Sequence, residues 1–309
     1  MRYWDEMKII TELDKLNVRE KTAVAIGKFD GIHVGHKELL SRILAKKEEG
    51  LKATVFTFDP SPEEFFVGHP VSQLFTREEK LKAFEKLGVD ILVMFPLNEK
   101  TAATDPEEFV RRILASELNA GFIAAGSDVT FGDKGKGDSE LLKRLEKELS
   151  YELCIIDKVK IDGEEVSSTR VRNAVSDGDM DLTKKLLGCE YSVSGIVEHG
   201  NHLGHTIGVP TVNILPPKMK LLPPYGVYSS TVKVGKHEYK GMTNIGRKPT
   251  VSEKEKVGVE TYIYDFDRDV YGEYIEVVLH RFVRPEIKFA NMEELKKQIA
   301  KDIKDSVRS

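Results

Sequence analysis

A strand in the interior of a parallel sheet is covered on both faces, so it reads as an unbroken apolar run rather than as an alternation. Short β-rich runs occur at 22–26, 53–58, 91–95, 120–125 and 152–159, and several of them are nearly continuous in apolar residues. Amphipathic stretches lie between them. In 36–47, for example, Leu39, Leu40, Ile43 and Leu44 recur at helical spacing. The alternation predicts an α/β unit, a parallel sheet with helices on both faces.

Beyond Tyr191 the rhythm changes. Short runs at 193–197, 227–234, 239–245, 259–266 and 274–282 are separated by Gly, Pro, Asn and Asp, which predicts an antiparallel sheet or barrel. Met292, Leu295, Ile299 and Ile303, set among charged residues, predict one amphipathic helix at the end. A chain of 309 residues has room for two domains. The change of rhythm puts their boundary near 186–191, and the domains are read as 1–187 and 188–309.

A content of 40% hydrophobic and 32% charged residues marks a soluble globular chain, not a disordered one. The net charge of −4 lacks the basic surplus of a general nucleic-acid binder, yet leaves room for a local phosphate pocket. No stretch approaches the roughly 18 apolar residues of a membrane span, and the first residues lack the pattern of a signal peptide. The expectation is a cytoplasmic protein whose partners are small molecules, not nucleic acid or membrane. Cys154 and Cys189 have no metal-ligand spacing and read as buried structural thiols. The sequence leaves the oligomeric state open.

The segment Ala23-Val-Ala-Ile-Gly27-Lys-Phe29-Asp30-Gly31-Ile-His33-Val-Gly35-His36 reads as a strand, a glycine-rich turn and a helix start. Gly27, Gly31 and Gly35 let backbone approach a ligand closely, and the helix N-terminus behind them favours phosphate. His33 and His36 can point the same way from that turn and donate to phosphate oxygens. Nucleotidyl transfer depends mainly on positioning and charge stabilisation, so two histidine donors over an α-phosphate suit it. Ordinary turn histidines, or a zinc site lacking a visible third ligand, are the competing readings. After the fifth run comes Ser167-Ser168-Thr169-Arg170-Val171-Arg172, where hydroxyls at a helix start followed by arginines can clamp a triphosphate.

Together these residues resemble the adenylyltransferase module of the bacterial bifunctional riboflavin kinase/FAD synthetase family. The matches are G-x-F-D-G-x-H-x-G-H at 27–36, T-F-D-P-x-P at 57–62, F-V-x-x-I-L at 109–114, a glycine-rich loop at 126–138 and S-S-T-R-x-R at 167–172. The resemblance implies a Rossmann-like nucleotidyltransferase domain. It implies that His33 and His36 stabilise the transition state, with Gly27, Phe29, Asp30, Gly31, Gly35, Ser168, Thr169 and Arg172 binding ATP and its phosphates. It places Asp59 and Pro60 in the flavin-phosphate and nucleotide pocket, and Asp128 as a polar residue near the substrates on the flavin side. Val129 stands where the family usually has an aromatic residue.

The C-terminal half resembles the family's riboflavin kinase module, through Gly208-Val-Pro210-Thr211-Val-Asn213, close to G-F-P-T-A-N, and through Tyr225-Gly-Val-Tyr228, Asn244-Ile-Gly246, Glu260 and Arg284-Pro-Glu286. The implied fold is an antiparallel β-barrel with a terminal helix. The resemblance makes Gly208 and Pro210 phosphate-binding, Thr211 and Asn213 Mg²⁺ ligands, Glu260 the base for the riboflavin hydroxyl, and Arg284 a flavin contact. Hard oxygen donors such as Thr211 and Asn213 suit Mg²⁺, and their spacing of two puts both on one face of an extended segment. One departure stands out. Leu203 and His205 replace the basic residues usual on the approach to this motif, and a mostly neutral imidazole attracts phosphate less than a guanidinium does.

The resemblance runs from about residue 8 to 303. It implies conversion of riboflavin and ATP to FMN, then of FMN and ATP to FAD and pyrophosphate, both with Mg²⁺. The alternative is an FMN adenylyltransferase whose barrel is impaired as a kinase or only binds flavin. A flavin sensor, or an adenylyltransferase for another phosphate-bearing acceptor, fits fewer of these residues.

Overall fold

The computed structural model describes residues 7–198, 211–248, 256–287 and 292–307. The chain divides into two compact units: Met1–Val71 with Arg77–Ser168, and Ser72–Thr76 with Thr169–Ser309.

The first unit is built on six parallel strands: β1 (Lys8–Ile10), β2 (Thr22–Ile26), β3 (Lys52–Asp59), β4 (Ile91–Pro96), β5 (Ala120–Gly126) and β6 (Glu152–Ile156). Their spatial order is β1-β4-β3-β2-β5-β6, with every neighbouring pair parallel. All five residues of β2 are buried, as are the first five of β4 and the five from Ala53 to Thr57 in β3. That burial on both faces is the reason these strands read as apolar runs. From β2 the chain proceeds to β3 and β4 on one side, and from β5 to β6 on the other. The order therefore reverses between β2 and β5, and in open α/β sheets the crevice at such a switch point, outside the carboxyl ends of the strands, is where ligands bind.

The last predicted strand of this unit is shorter than expected. The sheet strand ends at Ile156, and a small antiparallel hairpin of β7 (Lys160–Ile161) and β8 (Glu164–Glu165) follows. Its turn is Asp162-Gly163, both at positive φ (55° and 84°), the backbone that a two-residue hairpin turn requires. β1 escapes the sequence reading because three residues carry too little pattern.

The second unit contains the helix Met180–Leu187 and most of the helix Ser168–Asp177. These lead into β9 (Tyr191–Glu198), β10 (Thr211–Ile214), β11 (Gly226–Val234), β12 (His237–Lys248), β13 (Lys256–Ile263) and β14 (Tyr274–Arg284). The six strands form a closed antiparallel barrel in the order β10-β13-β12-β11-β14-β9, with β9 pairing back to β10. Inward positions are mostly apolar: Val193, Tyr228, Val232, Ile245, Val259, Ile275 and Val277 are fully buried or nearly so. Three buried hydroxyls share the interior and satisfy one another. Thr243 Oγ1 donates to Ser230 Oγ at 2.8 Å and lies 2.9 Å from Thr261 Oγ1. The helix Met292–Val307 ends the described chain.

β10, which closes the barrel, is absent from the runs read in the sequence, although the spacing of Thr211 and Asn213 supposes an extended segment there. The strand predicted at 259–266 stops at Ile263, because Asp265 takes a positive φ of 52° in the turn that follows. Cys189 is exposed and Cys154 only partly buried, so the expectation of two buried thiols fails. Cys189 follows Gly188, the left-handed cap of the helix Met180–Leu187, and sits in the turn before β9. Among the described residues no helix is long and apolar enough to cross a membrane.

No local pattern marks Ser72–Thr76 as part of the barrel unit, where the fold places it. Gln73 donates to Met219 O at 2.6 Å and accepts from Leu221 N–H at 2.8 Å. Leu74 O receives the buried Lys220 ammonium at 2.8 Å and the Tyr191 hydroxyl at 3.0 Å. Lys220 Nζ also lies 4.2 Å from the centre of the Tyr191 ring.

Candidate functional site

In the first unit β2 ends at Ile26 and delivers the chain to the switch point as the turn 27–33, after which the helix Val34–Ala45 begins. The turn is backbone-strained. Gly31 has φ 81°, but Phe29 (48°) and the β-branched Ile32 (36°) also lie at positive φ. Each such non-glycine residue costs about 1–3 kcal/mol and is found where surrounding structure enforces it. Here Phe29 is locked by burial, with its ring edge-on to Phe84 at 5.6 Å and 4.9 Å from the His36 ring. Gly35 has no spare room: a Cβ there would meet the His33 ring at 3.2 Å.

His33 caps the helix, its Nδ1 accepting from the His36 backbone N–H at 3.3 Å. The two imidazoles stack with centres 3.7 Å apart and planes 13° from parallel. Burial pushes the His33 imidazole down to about 4, against smaller upward pulls from Asp30 and Asp128. Burial also holds His36 well below its usual value, helped by the neighbouring His33 and Lys80 charges. Both rings are therefore neutral near pH 7, and their tautomers follow from their partners. Since His33 Nδ1 accepts a hydrogen bond, its proton sits on Nε2. His36 Nδ1 is sealed from solvent and has no partner among the described residues, which disfavours a proton there and leaves Nε2–H as its donor. The pair thus offers two neutral Nε2–H donors at a helix N-terminus.

The other predicted residues of this unit gather around the same strand ends. Ser168 Oγ donates to Asp30 O at 2.9 Å. Asp59 closes β3, its peptide to Pro60 is cis, and its carboxylate lies 3.1 Å from Arg77. Asp128, in the loop after β5, lies 3.4 Å from Lys158 Nζ. Val129 packs partly buried against the core. Thr169 and Arg172 stand on the helix Ser168–Asp177 but belong to the second unit, where Arg172 Nη1 donates to Ser72 O at 2.8 Å.

The second unit has its own polar cluster, on the outward side of the barrel wall. Register places Asn213 of β10 and Asn244 of β12 on either side of Glu260 in β13. The Thr211 hydroxyl donates to Glu260 Oε1 at 2.6 Å. Gly246 lies against Glu286, whose carboxylate would collide with any added Cβ, and Asn244 Nδ2 reaches Glu286 Oε1 at 3.3 Å. Arg284 directs Nε and Nη2 at Asp302 Oδ2 of the terminal helix, at 2.9 and 2.7 Å. Gly208 and Pro210, with Leu203 and His205, lie outside the described residues. The donors present here are hard oxygens, and Mg²⁺ needs few protein ligands because waters and substrate phosphates complete its shell. Thr211 and Asn213 fit that ion.

A model of the FAD synthetase family matches residues 15–170, and one of the riboflavin kinase family matches 187–309. Curated bifunctional riboflavin kinase/FMN adenylyltransferases align over nearly the full length. The protein of Escherichia coli (strain K12) is 35% identical over 96% of both chains. That of Listeria monocytogenes is 35% identical over 92% of this chain and 90% of its own, and that of Bacillus subtilis 34% over 93% and 92%. The chain belongs to the bifunctional riboflavin kinase/FMN adenylyltransferase family. A crystal structure of a protein named as a macrolide-efflux protein, from Streptococcus pneumoniae, superposes with a TM-score of 0.87 at 30% identity, covering 98% of this chain and 99% of that one.

Two residues near these clusters were not singled out as site residues from this family member's sequence. Asn244 occupies the row beside Glu260, a position that only strand register discloses. Lys80 stands close enough to the histidine pair to lower the affinity of His36 for a proton.

Proposed function

We infer that the chain makes FAD in two ATP-dependent steps, phosphorylating riboflavin to FMN in the barrel unit and adenylylating FMN in the α/β unit. The observation that carries the second step is the neutral, stacked histidine pair at the switch point. A phosphate oxygen of FMN attacks the α-phosphorus of ATP, the bond from that phosphorus to the bridging oxygen breaks, and pyrophosphate leaves with the electron pair. His33 and His36 donate their Nε2–H groups to the oxygens on which charge grows, and being neutral they need no proton transfer. The strained turn fixes both donors before substrate arrives. Gly27, Phe29, Asp30, Gly31 and Gly35 shape the nucleotide's seat, and Ser168, Thr169 and Arg172 are assigned to its phosphates. Asp59 and Pro60 border the flavin phosphate and the nucleotide, and Asp128 is assigned to the flavin side.

In the barrel, Glu260 takes the proton of the riboflavin 5′-hydroxyl as that oxygen attacks the γ-phosphorus, and ADP leaves. The Thr211 hydroxyl holds Glu260 oriented at 2.6 Å. Thr211 and Asn213 would hold Mg²⁺, which offsets phosphate charge when bound. Gly208 and Pro210 are assigned to the ATP phosphates, and Arg284, fixed by Asp302, to the flavin side. The division of labour follows domains 1–187 and 188–309, and the use of ATP in both steps favours the cytoplasm.

The test is to incubate the chain with Mg²⁺-ATP and either riboflavin or FMN, and to separate the flavins by chromatography. FAD from both substrates is expected. FAD from FMN alone would reduce the function to adenylyl transfer, and FAD from neither would overturn the assignment.

A further inference from the structure

We propose that Lys80 is a phosphate-binding residue of the adenylyl-transfer site, the cation that meets the oxyanions gathered beside the histidine pair. The inference rests on the adenylyltransferase reading of the first unit.

Lys80 lies on the helix Arg77–Leu87, and its helical neighbours define which way that face looks. Phe84, four residues on, is fully buried with its ring edge-on to Phe29 in the strained turn. Arg77, three residues back, reaches Asp59 at the end of β3 at 3.1 Å. Residues three and four apart share a helix face, so Lys80 stands between the turn that carries the histidines and the strand end that carries Asp59. A lysine that served only packing or solubility would extend into water or close an ion pair. Lys80 is half-buried and makes no ion pair within 4 Å among the described residues, although Asp59 is near and already engaged by Arg77.

The electrostatics agree. Burial pushes the Lys80 ammonium down from its usual value, and the Asp30 and Asp59 charges pull it back up. Its charge is in turn felt by His36. A half-buried cation without a close counter-charge is poised for an incoming anion. The histidines are neutral, so they supply hydrogen bonds but no net positive charge. Transfer of AMP gathers the triphosphate and the flavin phosphate in one place, and Lys80 offers a full charge there.

The test compares wild type, Lys80→Met and Lys80→Arg, each assayed for FAD from FMN and, on the same preparation, for FMN from riboflavin. Wild type must form FAD from FMN; if it does not, the adenylyltransferase reading has failed and Lys80 falls with it. Given that activity, Lys80→Met should lower kcat/KM for adenylyl transfer about 10²–10³-fold, with riboflavin phosphorylation within about twofold, and Lys80→Arg should recover at least tenfold of the loss. A rise in KM for ATP alone would assign the ammonium to the triphosphate, and one for FMN alone to the flavin phosphate. Lys80→Met within about threefold of wild type in kcat and both KM values would overturn the proposal. A second measurement avoids variants altogether: reductive methylation of the wild-type chain with and without Mg²⁺ and α,β-methylene-ATP or FMN. Protection of Lys80 by either ligand is expected, and equal labelling under all conditions would overturn it even if the variants fail to fold.

Discussion

The hydroxyl of Thr211 donates to Oε1 of Glu260 across the β10–β13 pair at 2.6 Å. This bond couples a candidate Mg²⁺ ligand to a candidate base, and it leaves the other carboxylate oxygen of Glu260 for the riboflavin hydroxyl. Glu260→Gln keeps the shape but cannot accept a proton. Riboflavin phosphorylation should fall about 10²–10⁴-fold, while FAD formation from supplied FMN stays within about twofold. Chromatography of products from the two flavins separates these outcomes, and equal loss of both activities would count against a base confined to the barrel.

The histidine pair gives stability a pH dependence. His33 titrates at about 4 in the folded chain, against about 6.5 in an unfolded one. Between those values the unfolded state binds the additional proton, so stability is full above about pH 6.5 and declines as pH falls toward 4. At pH 5 the loss from His33 alone is about 2 kcal/mol, and His36, shifted the same way, adds to it. The check is urea unfolding at pH 7 and pH 5 of the ligand-free chain and of His33→Asn. The variant should lose about 2 kcal/mol less between the two pH values, and identical slopes would refute the buried neutral state.

The central strands and the glycine-rich turn were legible because their signals are local. Burial on both faces writes β2 and β4 as apolar runs, and close approach writes Gly35 beside His33. What failed to show depends on distant chain. Arg77-Glu-Glu-Lys80-Leu-Lys82 reads as a solvated helix face, and only the packing of Phe84 on Phe29 turns Lys80 toward the histidines. β10 is four residues followed closely by Pro216-Pro217, too short to announce that it closes a barrel. The place of Ser72–Thr76 in the barrel unit is set by Lys220 and Tyr191, more than a hundred residues later in the chain.

Lys220 is 5% exposed and spends its charge on the carbonyl of Leu74 and the face of Tyr191. Met keeps most of the side-chain volume but neither donates nor carries charge. Lys220→Met should destabilise the barrel unit by about 1.5–3 kcal/mol, the range for a hydrogen bond to a charged group. Urea unfolding followed by tyrosine fluorescence would read this directly. Amide exchange should also quicken at Gln73 and Leu221, whose N–H groups pair this segment with 219–221. An unchanged midpoint together with unchanged exchange would mean that the ammonium does not hold the segment.

Asp302 is the buried partner of Arg284, 2% exposed, and it also accepts from Gln298 Nε2 at 2.7 Å. Removing one member of such a pair leaves the other charge without compensation, which costs about 3–5 kcal/mol, whereas replacing both with apolar residues of similar volume can be neutral. Asp302→Ala should therefore lower stability by about 3 kcal/mol and loosen the terminal helix Met292–Val307. The double variant Arg284→Met/Asp302→Leu should regain most of that loss. Its kinetics then separate two roles for Arg284. If the guanidinium only anchors the helix, riboflavin KM in the double variant returns close to wild type. If it also touches the flavin, stability recovers while KM remains raised about tenfold, roughly one charged hydrogen bond.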